Sequence, residues 1–283
     1  MSFGNMKEVK RRIKSVESIM RITGAMEMVS SSKLRKAKGR WMEAHRFFEE
    51  YRLFVQDMCA IEEPLTSPYI QKEEPKVGKP ALYIVVAGDR GFSGAYNYNV
   101  LKLALQESGN QKTTFLTIGK KAAQFFRSHE LPVEASYDGI SETLSFDDAL
   151  AIAERARALY QAGEIEEVKV FFTRFHSPLL QVAEDSRLLP IQQTHPATHE
   201  YIAREPGVNE LINAVVPQFM AHAIYTAVLE AFVSEQAASH LAMEAATKSA
   251  DDMLEELFFQ YNRARQTAIT QEITEIVAGA NIG

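Results

Sequence analysis

Residues 9–37, "VKRRIKSVESIMRITGAMEMVSSSKLRKA", decide the fold, because their apolar side chains recur on a helical spacing and no proline interrupts them. Starting at Met6 the apolar positions step through Val9, Ile13, Val16, Ile19, Ile22, Met26 and Val29. After a slip they continue through Leu34, Ala37, Trp41, Ala44, Phe48, Tyr51, Val55 and Met58. Alternating threes and fours mark a coiled-coil seam. The first proline is Pro64, so a single helix of roughly fifty residues or more is predicted, about 80 Å long at the α-helical rise and far longer than a usual globular helix. The irregular steps between Val16 and Leu34 predict a seam that drifts around the helix there.

The other end of the chain has the same character. Beyond Pro206 and Gly207 the pattern runs Leu211, Val215, Tyr225, Leu229, Phe232, Met243, Ala246, Ala250, Met253, Leu257 and Ala264, with no glycine before Gly279. Pro217 lacks an N–H and crowds the carbonyl of Asn213, which predicts a kink in the first turns. Two long helices at opposite ends of one chain predict an antiparallel pair. Gln218, His222, Gln236, Ser239 and Gln260 are polar seam positions, a poor design for a free-standing coiled coil, so part of each helix is expected to face something other than its twin.

Between these ends the composition changes. A proline-rich connection, "EEPLTSPYIQKEEPKVGKP" (62–80), leads into "ALYIVVAG", a continuous apolar run of the kind found in a strand buried on both faces. A helix from about Tyr96 to Ser108 follows, then a strand "TTFLTIG", a helix "KKAAQFFRSHE", a short strand "LPVEASY", a helix near Phe146 to Gln161 and a strand "EEVKVFFTRF". Alternating strands and helices predict a parallel sheet. "SPLLQVAEDSRLLP" is predicted to pair with its predecessor through a turn at His176–Pro178. The expected class is α/β: a long antiparallel coiled coil of N- and C-terminal helices plus a small Rossmann-like domain with a mainly parallel sheet. The expected divisions are 1–62 for the first helix, 63–80 for the connection, 81–206 for the α/β domain and 207–283 for the second helix.

Composition narrows the function. The chain of 283 residues is 46% hydrophobic and 24% charged, ordinary values for a folded protein with one substantial core or two smaller ones. No apolar run of bilayer-spanning length is evident, and the N-terminus lacks a secretory signal. The single cysteine, Cys59, fits a reducing compartment. Net charge is −6, yet residues 1–46 carry twelve Lys and Arg against four Glu, so this stretch is +8 and the remainder −14. The acidic remainder would repel a polyanion and no aromatics interleave with the bases, which argues against nucleic acid and for an acidic protein partner.

Catalytic signals are weak. "VVAGDRGFSGAYN" runs from a strand through Gly88, Gly91 and Gly94 into a helix, but the spacing is G-x-x-G-x-x-G rather than the dinucleotide fingerprint, and no P-loop Lys-Ser or Lys-Thr follows. Asp89 and Arg90 would stand at the carboxyl edge of the sheet, where polar groups meet partners. The histidines are scattered, and His195 with His199 lies in a proline-containing segment unsuited to helical metal spacing. No cofactor, metal or catalytic residue is expected.

The terminal segments "IKSVESIMRITGAMEMVSSSKLRKA" (13–37) and "SEQAASHLAMEAATKSADDMLEELFFQYNRARQTAITQEITEIVAGA" (234–280) resemble the two signatures of the gamma subunit of F-type rotary ATP synthases. "GDRGFSGAYNYN" between them resembles that family's "DRGLCGGLN" more weakly. The resemblance implies a bacterial-type central-stalk rotor that is not itself an enzyme. One copy would stand inside three alpha and three beta subunits, gripping the epsilon subunit and the membrane c-ring. It would touch the cytoplasmic side of the plasma membrane only peripherally, through that ring, and couple ion-driven rotation to ATP synthesis or hydrolysis in the beta subunits. It also implies that Met20, Arg21, Met26, Met28, Lys33 and Arg35 meet acidic lever loops of the beta subunits. Gln236, Gln266, Thr270, Ile273, Ile276 and Val277, with Ile269 on the same side as the last three, would meet the collar of the head. Asp89, Arg90, Tyr201 and Glu205, with Pro206 beside them, would contact epsilon and the c-ring. Three departures limit the transfer. Ser239 stands where the family has an arginine after "SEQAA", Gly24 replaces a frequent lysine, and Ser93 replaces the cysteine of "DRGLCGG". The chloroplast dithiol insertion is absent. The alternative reading is a coiled-coil adaptor unconnected with ATP.

Overall fold

The computed structural model describes residues 2–60, 65–71, 80–109, 112–193 and 207–280. Two compact units are present: one combines residues up to Ser31 with those from Ser239 onward, the other takes Ser32–Ala238. Two helices contribute to both units, α1 (Ser2–Cys59) and α5 (Val208–Ala280).

In the first unit α1 and α5 pack antiparallel. Val9, Ile13 and Val16 form one apolar cluster with Ala250, Leu254 and Leu257, flanked by Met20 and Tyr261. Further along, the hydroxyls of Thr23 and Thr247 hydrogen-bond across the pair at 2.8 Å. The expected seam needs correction here. Ile19, Ile22, Met28 and Val29 are exposed, whereas Thr23 and Glu27 are half-buried and Ser30 is buried. The inward positions therefore run Val9, Ile13, Val16, Met20, Thr23, Glu27, Ser30, a three-four alternation without a slip. The contact follows helix phase, and small or polar side chains hold that phase where the apolar ones leave it. Leu254 likewise replaces Met253, which is exposed.

The second unit is built on a five-stranded sheet. Its strands are β2 (Ala81–Val86), β3 (Thr113–Ile118), β4 (Val133–Tyr137), β5 (Glu167–Ser177) and β6 (Leu180–Leu189). They lie in the order β4-β3-β2-β5-β6. All pairs are parallel except β5–β6, which is antiparallel through the turn at Ser177, where Ser177 Oγ accepts from the N–H groups of Leu179 and Leu180. Every residue of β2 is buried because both faces are covered, the situation that demands a continuous apolar run. Tyr83 and Val85 pack on one side with α2 (Tyr96–Ser108) and α3 (Lys120–Ser128). Leu82, Ile84 and Val86 pack on the other with α4 (Phe146–Gln161), the end of α1 and α5. A two-stranded parallel sheet, β1 (Ile70–Gln71) with β7 (Ile191–Gln192), was not foreseen.

The helix α4 starts where Ser145 accepts from Asp148 N–H and Asp148 receives the Ser145 N–H in return, a capping box. The helix α5 continues without a break through Pro217. Nearly every residue from Phe219 to Ala237 is buried, so this part of α5 is a core helix enclosed on all sides. Of the polar positions on its expected stripe, His222 and Gln236 lie in this enclosed part, whereas Gln218 and Gln260 are exposed. Within α5 an 18-residue stretch is long and apolar enough to cross a bilayer by composition, contrary to expectation, and half of it is buried inside the fold.

Candidate functional site

The basic stretch of α1 divides by exposure. Arg21, Met28 and Arg35 face outward, with Met28 70% exposed. Met20 and Met26 are half-buried, Met20 against the seam. Lys33 is half-buried and its ammonium is bonded to Glu142, in the loop before α4. Arg40 supports the same loop by donating to the carbonyls of Glu142 and Leu144. Of the six predicted lever residues, three thus point to solvent and one is engaged inside its own unit.

Near the end of α5, Gln266, Thr270, Ile273, Ile276 and Val277 are all exposed, Ile276 by 65%. Three exposed aliphatics within five residues form an apolar ridge that no part of the first unit covers among the described residues. Gln236 differs from these: it belongs to the second unit and is buried, so its amide is not a surface group. Tyr201, Glu205 and Pro206 lie outside the described residues, as do His195 and His199.

The turn after β2 is braced by carboxylates. Asp89 accepts from the N–H groups of Lys120 and Gly139 and from Ser141 Oγ at 2.7–3.0 Å. Gly88 N–H donates to Asn97 Oδ1 at 2.7 Å, and Asn97 in turn donates to Arg90 O and Ser93 Oγ. A side chain at Gly88 would collide with Asn97 Oδ1 and with the carboxyl of Glu235 on α5. At Gly119 the backbone has φ +96°, and a Cβ would strike the carbonyl of Ala87. Gly88 and Gly119 therefore serve close packing, Gly94 a positive φ of +57°, and Gly91 has open space around it. Asp89 is a structural brace as well as a sheet-edge residue, while Arg90 is exposed.

A cleft of about 760 Å³ in the second unit lies between α1, β5, β6 and α5. Its cations are matched by acids: Arg52 with Glu49, Lys169 with Asp185, Arg174 with Glu184 and Arg187 with Glu167. Glu230, deep in this cleft, accepts from Phe175 N–H at 3.0 Å, and burial pushes its carboxyl above the usual range. Among the described residues no group of three or more His, Cys, Asp or Glu is arranged to hold a metal.

Comparison with known proteins decides the lineage. The family model described as ATP synthase matches residues 5–282. The ATP synthase gamma chain of Ruminococcus albus is 41% identical, over 96% of each chain, and that of Alkaliphilus metalliredigens 37%, over 97% of each. The chain belongs to the ATP synthase gamma chain family. A solved chain of the Euglena gracilis mitochondrial ATP synthase, described as OSCP/F1/c-ring, superposes with a TM-score of 0.74 at 19% identity, covering 98% of this chain and 94% of that one. It shares the fold.

Within this family the departures acquire structural contexts. Ser93 is buried and receives a bond from Asn97. Gly24 has nothing within 4 Å of the position a Cβ would take, so a larger residue fits there. Ser239 is half-buried. Residue-level reading missed Glu230 and Glu235, whose signal was available as the two charged residues of the largely apolar run 226–238. It also missed the pairing of Lys33 with Glu142, which no local spacing announces.

Proposed function

We propose that this chain is the non-catalytic central rotor of an ATP synthase, one copy among three alpha and three beta subunits. In this reading it binds the epsilon subunit and the c-ring, peripherally on the cytoplasmic side of the bacterial plasma membrane. The helical ends, 1–62 and 207–283, act as shaft. The part from 81 to 206 acts as foot, and 63–80 connects them. The observation that carries the proposal is the unequal surface of the helix pair in the first unit: exposed Ile19, Ile22, Met28 and Val29 on α1, Arg21 among them, and the ridge Ile273, Ile276 and Val277 on α5. A surface whose chemistry changes with angle cannot meet three identical neighbours alike, so it biases each toward a different conformation. Turning the surface permutes those biases. Moving one catalytic subunit from 1:99 to 99:1 between two states takes about 5.5 kcal/mol of differential binding, within reach of several apolar and charged side chains engaging one neighbour as they leave another. Adaptable methionines suit a surface that is re-docked at every step. Flow of protons or sodium ions through the ring turns the shaft toward synthesis, and hydrolysis turns it back. Asp89, Arg90, Tyr201 and Glu205 are the proposed contacts with epsilon and the ring, and Gln266, Thr270 and the ridge those with the head. The c-ring partner gains support from the rotor and c-ring assemblies in which the Euglena neighbours were solved.

A tagged copy purified from its own cells tests this reading: alpha and beta should co-purify at three each per tagged chain, and their absence would overturn the assignment. In the reconstituted complex, replacing Lys33 and Arg35 by glutamate should reduce the rotation obtained per ATP hydrolysed. Unchanged coupling would rule out the lever contact.

A further inference from the structure

The second unit contains a carboxyl that the rotor reading does not use. Glu235, on α5, is only 6% exposed, and its Oε1 and Cδ fill the space beside Gly88 that any side chain there would need. Charged and titratable groups on the neighbouring elements act on it through space: Asp89 and Arg90 on the turn after β2, Lys33 on α1 and Glu142 in the loop before α4, and the buried Tyr96 hydroxyl of α2, which is occupied donating to Ala231 O at 2.8 Å. These neighbours are already committed to one another. Lys33 holds Glu142, and Asp89 holds Lys120, Gly139 and Ser141. The turn at Gly88 thus packs directly on Glu235, and the bonds of Asp89 and Lys33 tie that turn and α1 to the loop 139–145.

We propose that Glu235 is the proton-binding element of a catch: protonated, it lets the turn 88–91 and the loop 139–145 close on α5, and loss of the proton loosens both.

The direction follows from the surroundings. Burial first, then the charge of Asp89, push the Glu235 carboxyl up from 4.5 to about 7, against the opposing pull of Lys33 and Arg90. An acid whose closed-state pKa exceeds its open-state value favours closure below the open-state value, and that advantage is lost as pH rises from 4.5 to 7. With those two values, opening becomes about tenfold more populated between pH 6 and pH 8.

Hydrogen–deuterium exchange on the full-length chain, corrected for the intrinsic pH dependence of amide exchange, reads this directly. Peptides covering 88–94 and 139–145 should lose about tenfold in protection from pH 6 to pH 8, and Glu235→Gln should abolish that loss. Two further variants keep the proposal testable should Glu235→Gln fold poorly. Lys33→Met removes a cation and should move the transition to higher pH. Glu142→Gln removes an anion and frees Lys33, and should move it to lower pH. A transition that persists in Glu235→Gln, or that shifts the same way in both other variants, overturns the catch.

Discussion

Replacing Gly88 by alanine adds a single methyl group to the strand-to-helix turn, and the surroundings fix what that methyl costs. Its position lies against Glu235 Oε1 and Cδ and 3.2 Å from Asn97 Oδ1. Neither neighbour yields cheaply, since Asn97 is held by Gly88 N–H, Arg90 O and Ser93 Oγ and Glu235 is enclosed by the core. Overpacking a closed site and forcing one side chain off its rotamer together cost about 2–3 kcal/mol. Chemical denaturation of the full-length chain, followed by circular dichroism, measures this as a lowered midpoint at unchanged slope. The decisive form is a double-mutant cycle. Glu235→Ala empties the space, so Gly88→Ala in that background should cost less than about 1 kcal/mol, a coupling of roughly 2 kcal/mol between the two sites. If the alanine costs the same with and without the Glu235 side chain, close packing does not explain the turn.

Other expectations follow from single contacts. Leu254→Ala should destabilise the chain by about 2–4 kcal/mol while exposed Met253→Ala changes stability by less than about 0.5 kcal/mol, so paired melting curves distinguish the observed seam from the one the apolar pattern predicts. Gly24→Ala should raise stability by about 0.8–1 kcal/mol, because open space surrounds that position; a loss would reveal a required close approach. Ser145→Ala removes the capping box of α4 and should cost about 1 kcal/mol in the same denaturation assay. The raised carboxyl of Glu230 stabilises the folded chain only while protonated, and that contribution disappears as pH rises through the shifted value. Glu230→Gln should therefore flatten the fall in stability that sets in as pH rises above 4.5, the ordinary value of that carboxyl.

How far the sequence disclosed the structure depends on where the deciding information lies. The α/β elements were legible almost to the residue, as with Tyr96–Ser108 and Phe146–Gln161, because doubly covered strands write continuous apolar runs and the helices alternate with them. The coiled-coil phase was less legible: Thr23, Glu27 and Ser30 sit inward while Ile19, Ile22 and Val29 sit outward, reversing the rule that apolar residues mark the contact. That reversal is intelligible if the outward residues serve another surface. The pairing of β1 with β7 was invisible because two-residue strands carry no period. The carboxyl network of Asp89, Glu142 and Glu235 was invisible because it joins segments far apart in the chain, and only α1, α5 and the sheet edge bring them together.

The most direct test of the rotor assignment is to watch it turn. With exposed Arg90 replaced by cysteine and Cys59 buried, a marker can be attached at one site on the full-length chain assembled with its alpha and beta subunits fixed to a surface. A central rotor should carry the marker round in steps, in one direction, when ATP is supplied. Steady ATP hydrolysis under a stationary marker would contradict it.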